Sequence, residues 1–414
     1  MSYSELRVNG DRLWDSLMRM AQIGATQKGG VCRLALTDLD LESRDLLSEW
    51  CFSEGCDRKV DPMGNLFFRR PGTSSDQRAV GSGSHLDTQP TGGKFDGAYG
   101  VMAALEVIRT MNDSDVSTEL PVELVVWTNE EGSRFPPAMI GSAVYAGAFD
   151  LEYGHSRSDL DGRTMGEELK RIGYLGDSLP SDHQFSAFFE AHIEQGPILE
   201  EMNLPVGVVT GVQGSHWYDV TIVGEETHAG PTPMNRRRDA LRGASELLPK
   251  IYRIATDSGF DARITLGEFR IYPGSRNTVP SRVEFTIDFR HPILTEFDRL
   301  DQQIKDTVNQ FGEQSNLDVE IDHIWRSPPI AFDSNCIDVV RNSAKNCGYG
   351  FNEMVSGAGH DSVNISGVAP TSMIFVPCDG GVSHNEEENI SKEQAEVGAN
   401  VLLHSVLARA GISG

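Results

Sequence analysis

The chain has 414 residues and carries 36 Lys and Arg against 61 Asp and Glu, a formal charge of −25. That length exceeds what one hydrophobic core usually organises, so two domains are expected. The acidic balance speaks against nucleic acid and anionic membrane as partners, and it means that an anionic substrate needs a local basic group. No apolar run approaches the ~18 residues of a membrane span. The opening MSYSELRVNG lacks the basic and apolar regions of a secretory signal. The six cysteines (Cys32, Cys51, Cys56, Cys336, Cys347, Cys378) are scattered without a CxxC, as expected for reduced cytoplasmic thiols.

Residues 11–24 and 42–55 place apolar residues at helical spacing, the second stretch ending at Gly55. NLFFRR (65–70) reads as a strand, and PGTSSD behind it as a turn. RAVGSGSHLD then carries a short strand into GSGSHLDTQPTGGKFDGAYG (81–100), which is too poor in apolar residues for an ordinary helix or core strand. It holds His85, Asp87 and Asp96, and imidazole and carboxylate are metal-donor groups. On an extended backbone Asp87 shares a face with His85, so its carboxylate is expected to accept the second ring N–H. Gly92, Gly93 and Gly97 permit positive φ and a close backbone approach.

A helix is predicted from about Tyr99 to Met111, then a buried strand, PVELVVWTNEE (121–131), ending in Glu130 and Glu131. Neighbours on an extended backbone face opposite ways, so one carboxylate can bind metal while the other faces substrate. FFEAHIEQG (188–196) is an apolar run ending in His192, Glu194 and Gln195. A strand at 372–377 leads through a Gly-rich loop to His384. Four strand-then-donor units of this kind converge on the carboxyl edge of one sheet in an α/β layer.

Between them lies a different grammar. HWYDVTIVG (216–224), ARITLGEFRIY (262–272), SRVEFTIDFR (281–290) and LDVEIDHIW (317–325) read as strands. Residues 236–255 and 295–313 read as helices, the first with a bend or stop at Pro249. The order is β-α-β-β-α-β, a ferredoxin-like unit inserted into the larger domain. The expected division is 1–212 with 328–414 around an insert at 213–327. Arg236 to Arg238 read as a solvated or interface face rather than a site.

HLDTQPTGGKFDG, TNEEGSRFPPAMIGS, EAHIEQGPILE, ETHAGPTPM, RNTVPSRVEFTIDFRHP, SGAGHDS and GVSHNEEE together resemble the dinuclear zinc amidohydrolases of the M20 peptidase family. The similar branch contains N-carbamoyl-L-amino-acid hydrolase, β-ureidopropionase and allantoate amidohydrolase. The resemblance covers nearly the whole chain in order. It implies a metallopeptidase-like catalytic domain with a central mixed sheet, and an inserted lid that also forms a homodimer. It implies two divalent metal ions per subunit, zinc or alternatively manganese or cobalt. His85 and His192 then belong to one metal, Glu131 and His384 to the other, with Asp96 bridging. The peptide after Asp96 is expected to be cis. His192, where peptidase members usually have a carboxylate, and the flanking EQG point to the carbamoyl-cleaving branch.

On that resemblance Glu130 is the general base, Asp87 the partner of His85, and His228 an oxyanion donor reaching in from the partner subunit. Gln195, His216, Asn277, Arg290 and Gly359 are expected at the substrate, with Arg290 suited to a carboxylate. His360 and Asp361 are expected only to shape a nearby loop. The implied reaction releases an amino acid, CO2 and ammonia from an N-carbamoyl-L-amino acid. Allantoate or N-carbamoyl-β-alanine hydrolysis, a dipeptidase or aminoacylase, and a non-catalytic metal-binding protein are the alternatives.

Overall fold

The computed structural model describes residues 5–74 and 78–413; the turn expected over 71–76 and the beginning of the N-terminal stretch fall partly outside them. The chain divides into two compact units, one formed by the residues up to Thr210 and from Phe332 onward, the other by Gly211–Ala331.

The first unit is built on a mixed sheet. Its centre is four neighbouring strands in the order Val122–Trp127, Ala79–His85, Phe185–Ile193 and Thr371–Val376, all parallel. Antiparallel strands flank them: Leu66–Arg70 beside Val122–Trp127, and Val206–Val212 beside Thr371–Val376. Parallel strands buried on both faces are apolar throughout rather than alternating, and VELVVW and TSMIFV are buried at every position. The helices Ala98–Asp113 and Lys392–Ala410 pack on this sheet. Buried residues occur all round each of them, so neither shows a single apolar stripe. Phe67, Trp127, Tyr145, Phe185 and Phe188 form an aromatic cluster against the sheet. Each such ring contributes about 1.5–3 kcal/mol by leaving water.

Four donor-bearing strands side by side, all pointing the same way, set His85, the residues after Trp127, His192 and the loop after Val376 along one edge of the sheet. That edge is where α/β folds place their sites.

The second unit has the order Arg263–Thr265, Arg282–His291, Gly214–Val223, Asp318–Ser327, antiparallel throughout. This is the ferredoxin-like arrangement. The Arg282–His291 strand alternates strictly, and its inward Val283, Phe285, Ile287 and Phe289 meet Leu247, Ile251, Phe297, Leu300 and Ile304 from the two helices. Two expectations need correction. Residues 262–272 form two short strands, Arg263–Thr265 and Phe269–Tyr272, rather than one. Pro249 does not stop its helix, which runs from Ala240 to Asp257. Proline forfeits one backbone bond there, but the buried Leu247 and Ile251 on either side hold the helix to the core.

Candidate active site

Three groups of candidate donors form among the described residues; one joins Glu190, His192 and His360, and the other two share Asp96. Of these two, His85, Asp96 and His192 make one, and Asp96, Glu131 and His384 the other. His85 Nε2 and His192 Nε2 lie 3.5 and 3.2 Å from Asp96 Oδ1. His384 Nε2 lies 3.6 Å from Asp96 Oδ2 and 3.3 Å from Glu131 Oε2. Two donors each about 2.0–2.2 Å from a tetrahedral cation sit about 3.3–3.6 Å from one another, so these spacings fit a shared cation.

The ring tautomers fit too. His85 Nδ1 lies 2.8 Å from the Asp87 carbonyl and His192 Nδ1 lies 3.0 Å from the Ile193 carbonyl. A carbonyl only accepts, so both rings carry their proton on Nδ1 and turn an Nε2 lone pair to the site. Consistently, His192 Nε2 accepts the Gly97 N–H at 3.2 Å. His384 is the open member, its side chain 51% exposed, while the other donors are buried.

Three expectations about this edge change. The Asp87 carboxylate does not hold His85: its nearest oxygen is 4.0 Å from Nδ1, and the Asp87 backbone carbonyl takes that role. The carboxylate instead accepts the backbone N–H groups of Glu130 and Glu131, each at 3.2 Å, and so fixes the acidic pair. The pair itself is not on extended backbone. The strand ends at Trp127, and Asn129 turns the chain at φ 59°. The two carboxylates are nevertheless separated, Glu131 facing His384 and Glu130 lying 3.5 Å from His85 Nε2. The third change is the peptide after Asp96, which is not among the cis bonds of the described residues; those are Pro136–Pro137 and Tyr272–Pro273. Gly97 at φ 64° makes the turn there, a conformation that glycine adopts without steric cost.

Burial pushes the Glu130 carboxyl well above the usual carboxylate range; nearby Asp361, Glu131 and Asp96 add to this and His85 opposes it. A carboxylate with raised proton affinity suits proton transfer near neutral pH. Gln195 Nε2 donates to Asp96 Oδ2 at 2.8 Å, so it contacts the shared carboxylate. Gly359 packs against Met139, leaving too little room there for a side chain without movement of the Met139 methyl. His360 lies edge-on to His192 with 4.5 Å between ring centroids, and Asp361 accepts the Ser142 hydroxyl.

In the second unit, a short ribbon pairs Thr227–His228 with Thr278–Val279 and brings Asn277 beside His228, the Asn277 carbonyl accepting the Ala229 N–H at 2.9 Å. His228 Nδ1 accepts the Gly230 N–H at 3.0 Å, which puts the proton of the neutral ring on Nε2. Arg290 holds Asp288 through Nε and Nη2, the latter at 2.8 Å. His216 faces Asp301, its Nδ1 3.3 Å from Oδ1. It is buried against Tyr218, Phe289 and Phe297, and neither ring nitrogen has a hydrogen-bond partner among the described residues. Burial drops its pKa to about 4. Two of the three arginines in the run make defined contacts within this unit. Arg237 donates to the carbonyls of Ala229 and Thr232 and ties down the His228 loop, and Arg238 reaches Asn316 and Asp318.

Sequence reasoning missed the groups that support the donors. Gln89 donates to Glu131 from its backbone and its side chain, at 3.1 and 2.7 Å. Glu388 accepts the backbone N–H groups of Phe95 and Asp96. Glu388 stood inside the quoted GVSHNEEE motif, but three adjacent acids give no sign of which one is buried.

A family model described as Peptidase family M20/M25/M40 matches residues 81–408. The chain is 46% identical over 406 residues to an N-carbamoyl-L-amino-acid amidohydrolase of Rhizobium meliloti, covering 98% of each chain. It is 38% identical over 407 residues to an N-carbamoyl-L-amino acid amidohydrolase of Geobacillus stearothermophilus, covering 96% of this chain and 98% of the relative. Among solved structures, an amidase of the hydantoinase/carbamoylase family from Burkholderia multivorans superposes with a TM-score of 0.94 at 53% identity, covering 98% of both chains.

Proposed function

The chain belongs to the peptidase M20/M25/M40 family, and from that premise we propose how it acts: as an amidohydrolase that cleaves the carbamoyl C–N bond of N-carbamoyl-L-amino acids, giving the amino acid, CO2 and ammonia. The observation that carries this reading is the pair of donor groups sharing Asp96, with Glu130 3.5 Å from His85 and free of both groups. His85, Asp96 and His192 would hold one divalent cation, and Asp96, Glu131 and His384 a second, zinc being the ion that best suits imidazole and carboxylate donors. When bound, such a pair supplies Lewis acidity, polarising the ureido carbonyl and lowering the pKa of water toward neutrality.

The chain's own residues do the rest. Glu130 takes the proton of the attacking water and passes it to the departing ammonia. Asp87, through the backbone N–H groups of Glu130 and Glu131, keeps that carboxylate apart from the ligating one. His228 offers Nε2–H to the oxygen that gains charge. Asn277, beside it on the ribbon, and Arg290 bind the amino-acid end, the guanidinium exchanging Asp288 for the substrate carboxylate. Gln195 and Gly359 border the same substrate from the catalytic unit. We further propose a cytoplasmic homodimer formed through the insert, in which His228 serves the partner's site. The six free cysteines are in keeping with a reducing compartment, and no helix of the described residues is long and apolar enough to cross a membrane.

Ammonia release from N-carbamoyl-L-amino acids, N-carbamoyl-β-alanine, allantoate and dipeptides by zinc- or manganese-loaded protein tests the reading. Fastest turnover is expected on an N-carbamoyl-L-amino acid. Preference for allantoate or a dipeptide would reassign the substrate, and no turnover of any would favour a metal-binding protein without catalysis.

A further inference from the structure

We infer that Glu388 is a positioning residue that locks the shared Asp96 to the loop carrying His384, and thereby sets the affinity of the Asp96–Glu131–His384 group for its cation. The inference rests on the two-cation reading above. Glu388 is buried. Its Oε1 accepts the backbone N–H groups of Phe95 and Asp96, both at 3.0 Å. Its Oε2 accepts the Ser383 hydroxyl at 2.9 Å, and that hydroxyl also lies 2.9 Å from Asp96 Oδ2. One carboxylate therefore grips the backbone of Asp96, and the single Ser383 proton lies between its Oε2 and Asp96 Oδ2.

The loop geometry depends on this grip. The turn is closed by Glu388 N–H to the Asn385 carbonyl and Glu387 N–H to Asn385 Oδ1, each at 3.0 Å. His384 immediately precedes that turn at φ 52°, a left-handed conformation for a residue with a side chain. Its side chain is the most exposed of the five donors, so little packing holds it. Fixing Ser383 on one side and Glu388 on the other holds it instead. The opposite loop is shaped to receive the carboxyl: a side chain at Gly93 would collide with the Glu388 carboxyl group. His85 and His192 stand on strands and need no such support.

The prediction is selective loss. Chelator-stripped full-length protein is titrated with Zn2+ against a chromophoric chelator, and metal per chain is read by emission spectroscopy. Glu388→Ala should weaken one of two equivalents about 10–100-fold and leave the other as in wild type. Glu388→Gln keeps an oxygen for the two N–H donors and places its amide against Ser383, so it should restore most of that affinity. Ser383→Ala, which keeps Glu388 but cuts its link to the Asp96 side chain, should weaken the same equivalent less. Two wild-type affinities in both Glu388→Ala and Ser383→Ala, or equal weakening of both equivalents, would overturn the inference. If Glu388→Ala does not fold, an undisturbed weaker site in Ser383→Ala overturns it alone. Failure of the two-cation reading would show separately, as fewer than two equivalents in wild type.

Discussion

At the level of single residues the site works by division between neighbours. Glu130 and Glu131 are adjacent, yet one lies 3.5 Å from His85 and the other 3.3 Å from His384. Glu130→Gln should therefore keep two metals and lose about 10²–10⁴ in turnover. Glu131→Gln should lose metal as well, and equal metal loss in both variants would contradict the division. These residue types were legible in the sequence because donors that follow buried strands stand out. Their support was not. Spacing alone suggested that the Asp87 carboxylate holds His85, whereas the chain uses the Asp87 carbonyl and spends the carboxylate on two N–H groups. His216 is a related case: an imidazole on a strand reads the same whether it faces a pocket or a core. Its folded pKa of about 4 lies below its ordinary value, so the unfolded chain binds the extra proton. This contribution to stability is full above about pH 6.5 and is lost as pH falls toward 4. Urea midpoints at about pH 7 and pH 5 should thus drop more for wild type than for His216→Phe; an equal drop would mean that the buried ring does not titrate as argued.

Elements set where those residues stand. Four parallel strands side by side place every donor at one edge, an arrangement that could be anticipated from apolar runs ending in acids or histidines. The ferredoxin-like order was legible as well, since alternating strands such as Arg282–His291 announce one buried face. What escaped were local departures from regular backbone: the left-handed Asn129 after Trp127, the split of 262–272, and the helix that continues past Pro249. Each is decided by contacts distant in sequence. Gly97 is the sharpest element-scale test. It starts the Ala98–Asp113 helix at φ 64°, and a side chain there would collide with the His85 ring. Gly97→Ala should cost about 1–2 kcal/mol in backbone strain alone and lower metal affinity by displacing His85. Chemical denaturation of the stripped protein measures the first effect and metal titration the second. Unchanged values would mean that the loop has room to spare.

For the whole molecule, the proposal divides the work between two units and two subunits. The proposed Asn277 and Arg290 lie in Gly211–Ala331, and the proposed ligands with Gln195 and Gly359 in the other unit. His228→Ala should lower kcat about 10²–10³-fold with metal content intact. If His228 serves the partner's site, mixing His228→Ala with Glu130→Gln protein after subunit exchange should restore activity, to a ceiling of about half of wild type per dimer, because one site then carries both defects and the other neither. Activity that stays at the level of the parents despite proven exchange would place His228 within its own chain or outside catalysis.

The central claim is that two cations held around Asp96 drive hydrolysis of a carbamoyl amino acid. Its most direct test is to add zinc stepwise to chelator-stripped protein and follow ammonia release from an N-carbamoyl-L-amino acid. Activity should reach its plateau at two equivalents per chain. A plateau at one equivalent, or no ammonia with both sites filled, would contradict it.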